Sequence, residues 1–133
     1  MTLNWVMQVC IDPTRVAVSL ETTSVSRSLV SDGGCFSVTL VARQDRTLVR
    51  KFVRPSEHDP AAHTLAGFAY RDGVSGAPIP TFALGYVDCR VCERLELGSH
   101  TLFVGDVVDA GFAPRGEEIA VLSMQDTRMG YGG

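Results

Sequence analysis

Three short stretches of this chain set side chains at spacings that could do chemistry. In residues 1–9, Thr2, Asn4 and Gln8 fall on one face of an alternating segment, Leu3, Trp5, Met7 and Val9 on the other, and Val6 breaks the pattern. Hydroxyl and amide groups on a stiff strand suit a planar heterocycle with donors and acceptors along one edge. They equally suit contact with water, the ordinary state of a polar sheet face. Next, Thr22, Thr23, Ser24 and Ser26, with Arg27, stand where a helix should begin. Unsatisfied N–H groups and the helix dipole favour a phosphate there, hydroxyls add donors, and an arginine adds a charge-assisted contact. A helix needs only one such hydroxyl as its N-cap, so the cluster reads either as a cap or as an anion cradle. Finally, Gly98-Ser99-His100 leads into an apolar run at Leu102, Phe103 and Val104. A histidine at a loop–strand junction can reach a pocket, where imidazole suits proton handling or an anion contact, or it can simply be solvated. His58 and His63 lie in a Pro/Gly-punctuated region and are given no role.

Other chemistries lack their residues. The chain has no GxSxG, no Walker loop, no HExxH and no GxGxxG, which points to chemistry carried by a cofactor rather than by side chains. Cys89 and Cys92 form a CxxC, but within a strand an offset of three puts them on opposite faces. A zinc site would want a second such pair or nearby histidines, so these read as two small strand residues, one of them buried, and no metal is expected. The formal charge of −3 argues against a nucleic-acid partner, and with Lys51 the one lysine among 12 basic residues the arginine excess favours bidentate anion contacts over a diffuse positive field. No apolar run approaches the about 18–20 residues that span a bilayer, so no membrane association is expected. The start, Met1-Thr2-Leu3-Asn4-Trp5, lacks the charged and apolar regions of a signal peptide, and a cytoplasmic location is expected.

The elements that must position these groups follow from pattern and punctuation. A length of 133 residues suits one domain with one core. Residues 1–9 predict a half-buried strand, Asp12-Pro13 a turn, and residues 16–20 a central strand apolar on both faces. A helix follows, with Val25, Leu29 and Val30 on one face and Gly33-Gly34 as its stop. Residues 35–41 predict a strand and residues 44–53 a short amphipathic helix through Leu48, Val49 and Phe52. From 54 to 80 the pattern weakens into a long excursion. Residues 81–91 and 101–109 predict a hairpin, residues 118–124 a last strand, and 125–133 a polar, Gly-rich tail. About six strands and two short helices without a βα rhythm give a mainly β fold, a small antiparallel barrel with helices in its connections.

With these motifs in place, the chain resembles the flavin reductase-like, FMN-binding split-barrel family. Residues 1–9 with Asp12-Pro13 resemble that family's flavin-contacting strand and turn. Ser24 and Ser26 through Leu29-Val30, then Gly33-Gly34-Cys35-Phe36-Ser37-Val38, are similar to its phosphate-side turn, helix and next strand. Residues 98–107 resemble its strongest motif, Gly-Asp-His before an apolar strand, with Ser99 in place of the Asp. The ending from Asp126 to Gly133 resembles one subgroup's terminus, with Gly130 where His is common. The family usually carries some thirty further residues, a strand and turn, ahead of the position of Met1, so the resemblance implies an N-terminally short member that is marginally stable or an obligate dimer. It also implies an antiparallel split β-barrel, a homodimer with FMN (or FAD) near the subunit interface, NADH or NADPH as co-substrate, and a partner monooxygenase or redox protein. By carry-over Thr2, Asn4, Trp5 and Gln8 line the flavin, Ser24, Ser26 and Arg27 its phosphate, and His100 faces the nicotinamide. The activity implied is NAD(P)H-dependent flavin reduction; the alternative is a flavin-binding electron carrier, or a non-catalytic binder, without nicotinamide turnover.

Overall fold

A computed structural model describes residues 1–53, 56–114 and 119–127. Its main sheet is built from β1 (Val6–Cys10), β2 (Arg15–Glu21), β3 (Cys35–Leu40), β8 (Gly85–Glu96) and β9 (His100–Phe112), in the order β1-β2-β9-β8-β3. Every pairing in it is antiparallel. Helix α1 (Val25–Gly33) joins β2 to β3, and a 3-10 turn (Arg43–Asp45) leads into α2 (Thr47–Lys51). A second antiparallel sheet holds β4 (His58–Asp59), β5 (Thr64–Leu65), β6 (Phe68–Asp72) and β7 (Pro78–Pro80) in sequence order, and α3 (Met124–Thr127) follows β9.

The core sits where β2 lies between β1 and β9. Val16, Ala17, Val18 and Leu20 are all buried, so β2 is covered on both faces, as its unbroken apolar run predicts. Val16, Val18 and Leu20 pack with Phe36, Cys89 and Phe103, and Leu3, Val6, Val30 and Val87 close over them. Gly105 faces Val16 across the β2–β9 ladder. A Cβ on it would stand 2.7 Å from Cys89 Cβ and 2.8 Å from the Phe36 ring, so the Phe36 ring packs directly on backbone there.

Four expectations are corrected. Residues 1–9 do not form one strand with Trp5, Met7 and Val9 inward. The strand starts at Val6, which opposes the buried Val18, so Val6 and the preceding Leu3 face the core while Met7 and Val9 are exposed. The residues ahead of it turn towards α2, where Thr2 N–H donates to Phe52 O (3.0 Å) and Thr2 Oγ1 to Val49 O (2.7 Å). Residues 54–80 are not an irregular excursion but carry the second sheet. Its strands of two to five residues are too short for periodicity to register, and Pro78 and Pro80, which lack N–H groups, confine β7 to a sheet edge. In place of a strand at 118–124, the described residues show a single bridge between Val121 and Ala42, followed by α3. Arg43 fixes this end: it pairs with Asp126 (2.5 Å) and holds that carboxyl down at about 2. The segment expected as a helix over 44–53 is divided between the 3-10 turn and α2, with Val49 buried and Leu48 and Phe52 half-buried. The expected tail beyond residue 127 lies outside the described residues.

One buried carboxylate ties the two sheets together. Asp88 on β8 is fully buried and accepts from Ser75 N–H (2.8 Å) and from the Ser75 hydroxyl, in the turn between β6 and β7. A buried carboxylate needs such donors. Ser37 Oγ adds a bond to Pro78 O (2.6 Å).

Gly105→Ala is expected to destabilise the protein by about 1–3 kcal/mol, because the added methyl must displace Phe36 or Cys89. Urea denaturation of both forms checks it; an unchanged midpoint would mean the core has room that these distances deny.

Candidate functional site

The turn between β8 and β9 sets the position of His100. Gly98 takes φ +84, which favours glycine, and the turn lies against the residue after β2. Thr22 N–H donates to Ser99 O (2.9 Å) and Thr22 Oγ1 to Gly98 O (3.0 Å). His100 then opens β9 opposite Glu21. Ser99 Oγ lies 2.9 Å from His100 Nδ1. Trp5, whose carbonyl accepts from Ser19 N–H (3.1 Å), brings its indole to 4.8 Å from the imidazole, tilted by 43°. The indole stays half exposed, at 48%. The result is a small aromatic platform at one end of the main sheet.

Two residues past Thr22, the chain enters α1. Ser24 is its N-cap, with extended backbone and a side chain that accepts from Arg27 N–H (3.2 Å). The Val25 and Ser26 amides, in the first turn, have no hydrogen-bond partner among the described residues, which is what a helix start leaves for an anion. Ser26 is half-buried beside them. Gly34, at φ +64, closes the helix as the paired glycines predict.

Arg27 is already engaged. Its Nη2 pairs with Glu96 Oε1 (3.0 Å) and its Nε donates to Thr101 Oγ1 (3.3 Å). The Thr101 hydroxyl in turn donates to Glu96 Oε2 (2.7 Å). Arg94 adds a contact to Glu96 (3.1 Å) and one to Ser31 Oγ on α1 (2.8 Å). Together these clamp α1 to the end of the β8–β9 hairpin. The Thr101 hydroxyl above all, helped by Arg27 and Arg94 and opposed by desolvation, holds the Glu96 carboxyl below its ordinary value.

The structure therefore brings Trp5 and His100 into contact and connects them, through Thr22, to Ser24, Ser26 and Arg27. Asn4 is half-buried beside Trp5 in the chain. Thr2 and Gln8 are not brought to this cluster. Thr2 anchors the chain start to α2, and Gln8 lies three residues beyond Trp5, about 10 Å along a strand, with its amide on Cys10 O (3.1 Å). Sequence reasoning did not single out Glu96, because its partner Arg27 is 69 residues away in the chain. Thr22 was visible as one of four hydroxyls, but its role in holding the 98–99 turn was not. The cysteines are all free; Cys89 is buried and its thiol is pushed up to about 12, first by desolvation and then by Asp88, so it stays a protonated core residue. Among the described residues no group of acidic, histidine or cysteine side chains is placed to hold a metal, and no helix is long and apolar enough to cross a membrane.

The mainly β, antiparallel architecture is that of the flavin reductase split barrel. The chain belongs to the flavin reductase-like domain family, whose model matches residues 1–132. It is 30% identical over 112 residues to the putative diflavin flavoprotein A 3 of Synechocystis sp., covering 84% of this chain and 18% of that one. It is 29% identical over 111 residues to the ferric-chelate reductase (NAD(P)H) of Archaeoglobus fulgidus, covering 80% of this chain and 63% of that one. Among solved structures, the styrene monooxygenase flavin reductase of Pseudomonas putida S12 superposes with a TM-score of 0.70 at 25% identity, over 86% of this chain and 70% of the other. The chain spans less than two thirds of the length of these curated relatives.

The Glu96 clamp carries a pH dependence. A carboxylate depressed in the folded protein stabilises it above its unfolded value of about 4.3, and that contribution is lost as pH falls through the folded value. The thermal-midpoint gap between wild type and Glu96→Gln is therefore expected to be widest near neutrality and to close as pH falls below about 4. A gap unchanged with pH would show that the Glu96 charge does not support the clamp.

Proposed function

We propose that this chain is an NAD(P)H-dependent flavin reductase that binds FMN, or FAD through the same ring and first phosphate, and takes NADH or NADPH as co-substrate. The observation that carries the reading is the half-exposed Trp5–His100 platform joined through Thr22 to the unpartnered first-turn amides of α1. One end suits a planar ring and the other a phosphate. When bound, a flavin supplies the redox chemistry by accepting a hydride from the reduced nicotinamide.

The chain's own residues bind and orient. Trp5 and Asn4 line the ring. Val25 and Ser26 N–H groups, with the Ser24 and Ser26 hydroxyls, hold the phosphate. Thr2 and Gln8 complete the flavin side only if the first nine residues rearrange on binding. Arg27 reaches the phosphate by exchanging its contact with Glu96. His100 faces the nicotinamide.

The relatives' names, a ferric-chelate reductase and a reductase serving styrene monooxygenase, support a role in passing electrons to an oxygenase or another redox partner. The exposed Met7 and Val9 on the edge strand β1, with Ile11 just beyond it, support a homodimer as the working form. Ser99, standing where the family motif has a carboxylate, favours a second reading: a flavin-binding electron carrier without nicotinamide turnover.

Anaerobic mixing of the FMN-loaded protein with NADH, and separately with NADPH, tests the proposal. Bleaching of the flavin absorbance with at least one of them is expected; an unchanged band with both would leave the carrier reading. The phosphate assignment has its own test. Changing both Ser24 and Ser26 to Ala is expected to weaken FMN much more than riboflavin, by about 1.5–3 kcal/mol for each charge-assisted bond lost. Equal weakening of the two would reduce the serines to helix caps.

A further inference from the structure

Arg27 stands at the wrong end of a helix. It lies in the first turn of α1, where the helix dipole disfavours a cation, and no acidic residue occupies that turn to offset it. The compensating charge comes from the turn end of the β8–β9 hairpin, where Arg27 Nη2 pairs with Glu96 Oε1 (3.0 Å). Arg94 Nε holds the same oxygen (3.1 Å), and Thr101 Oγ1 donates to the other (2.7 Å). Arg27 Nε is tied to the framework through Thr101, which is fully buried and pairs with Leu20 in the strand that leads to the cap of α1. Arg27 Nη1 has no partner among the described residues. A helix start that carries a cation and no acid is suited to an anion, and Glu96 is the anion the chain itself supplies.

We infer that Glu96 is a specificity-determining residue: it is a resident counter-anion that competes with the flavin phosphate for Arg27, and so lowers the preference of the site for phosphorylated over unphosphorylated flavin. The inference rests on the reading that places the phosphate at the start of α1. A phosphate there meets the Val25 and Ser26 amides and a guanidinium whose charge is already compensated. Engaging Arg27 then either breaks its contact with Glu96 or sets a second anion beside that carboxylate. The gain is the difference between two charge-assisted contacts, not the whole of one. A flavin without phosphate leaves the Arg27–Glu96 pair as it is. The side chains of Arg27 and Glu96 are 23% and 47% exposed, so the competition has the size of a partly exposed ion pair, a few-fold in affinity and not orders of magnitude. No electron or covalent step is assigned to either residue.

The test measures FMN and riboflavin dissociation constants at neutral pH for the full chain as wild type, Glu96→Gln, Glu96→Asp, Arg27→Gln and the Arg27→Gln/Glu96→Gln double variant. Glu96→Gln is expected to bind FMN about two- to fivefold more tightly and riboflavin as wild type does. Glu96→Asp keeps the charge but is one carbon too short for the 3.0 Å contact, and should share the gain. Arg27→Gln should weaken FMN about tenfold and leave riboflavin unchanged. The double variant should match Arg27→Gln, because the carboxylate then has no cation to compete for. FMN bound no more tightly by Glu96→Gln than by wild type, while Arg27→Gln still separates the two flavins, would overturn the inference and leave the phosphate reading standing. A gain that persists in the double variant, or that Glu96→Asp lacks, would show repulsion at a distance in place of competition and overturn it as well. Arg27→Gln weakening neither flavin, or both alike, would remove Arg27 from the phosphate site and the inference with it. Thermal midpoints well above the assay temperature show that each variant has folded, and Glu96→Asp carries the comparison if Glu96→Gln does not reach that mark.

Discussion

Thr22 spends both of its donors, the backbone N–H and the hydroxyl, on the two carbonyls of the turn that precedes His100. The rest of the site depends on that latch. Thr22 is the first of the two residues between the end of β2 and the cap of α1, so the same two bonds locate the imidazole and the helix start relative to each other. The proposed ring platform and phosphate cradle would work together only at a fixed separation. Here the separation is set by one backbone bond, Thr22 N–H to Ser99 O, and one bond from the Thr22 hydroxyl to Gly98 O, 76 residues away in the chain. The Arg27–Glu96–Thr101 network repeats the connection one turn further along α1, so the helix is held at two points.

The latch works because the strands beneath it do not slide. β2 is buried on both faces, and its ladder with β9 runs without a register shift from Arg15 opposite Asp106 to Glu21 opposite His100. A one-residue slip would turn Val18 and Phe103 out of the core. β8 is different: it shifts register at Asp88/Cys89 and again at Val91/Glu93. The first shift accompanies the burial of both Asp88 and Cys89, and with it the grip of Asp88 on the β6–β7 turn. Irregularity is thus confined to the strand that joins the two sheets, while the strand that carries His100 stays regular on its β2 side.

Much of this was legible in the sequence, and what was not has physical reasons. The unbroken apolar run at 16–20 marked a central strand, and hydroxyls followed by Gly33-Gly34 marked both ends of α1, because caps and double-sided burial are local signals. The orientation of β1 was misread: Leu3, Trp5, Met7 and Val9 alternate with polar residues except at Val6, and it is Val6 that meets Val18, since register is decided by the partner strand. The second sheet was missed because strands such as Thr64–Leu65 are too short to show a period. At the site, Trp5, His100 and the serines were legible as types, but the Thr22 latch and the Glu96 clamp join residues far apart in the chain, which no local pattern encodes.

Trp5 is the chain's single tryptophan, so its fluorescence reports on the proposed ring site alone. Titrating the protein with FMN, while following indole emission and flavin emission together, asks whether a flavin lodges beside the Trp5–His100 pair. Both signals should quench in parallel and saturate at one flavin per chain, and the Trp5 response should persist with riboflavin, which keeps the ring and lacks the phosphate. Flavin emission that saturates while the indole signal stays unchanged would place the flavin elsewhere and contradict the account.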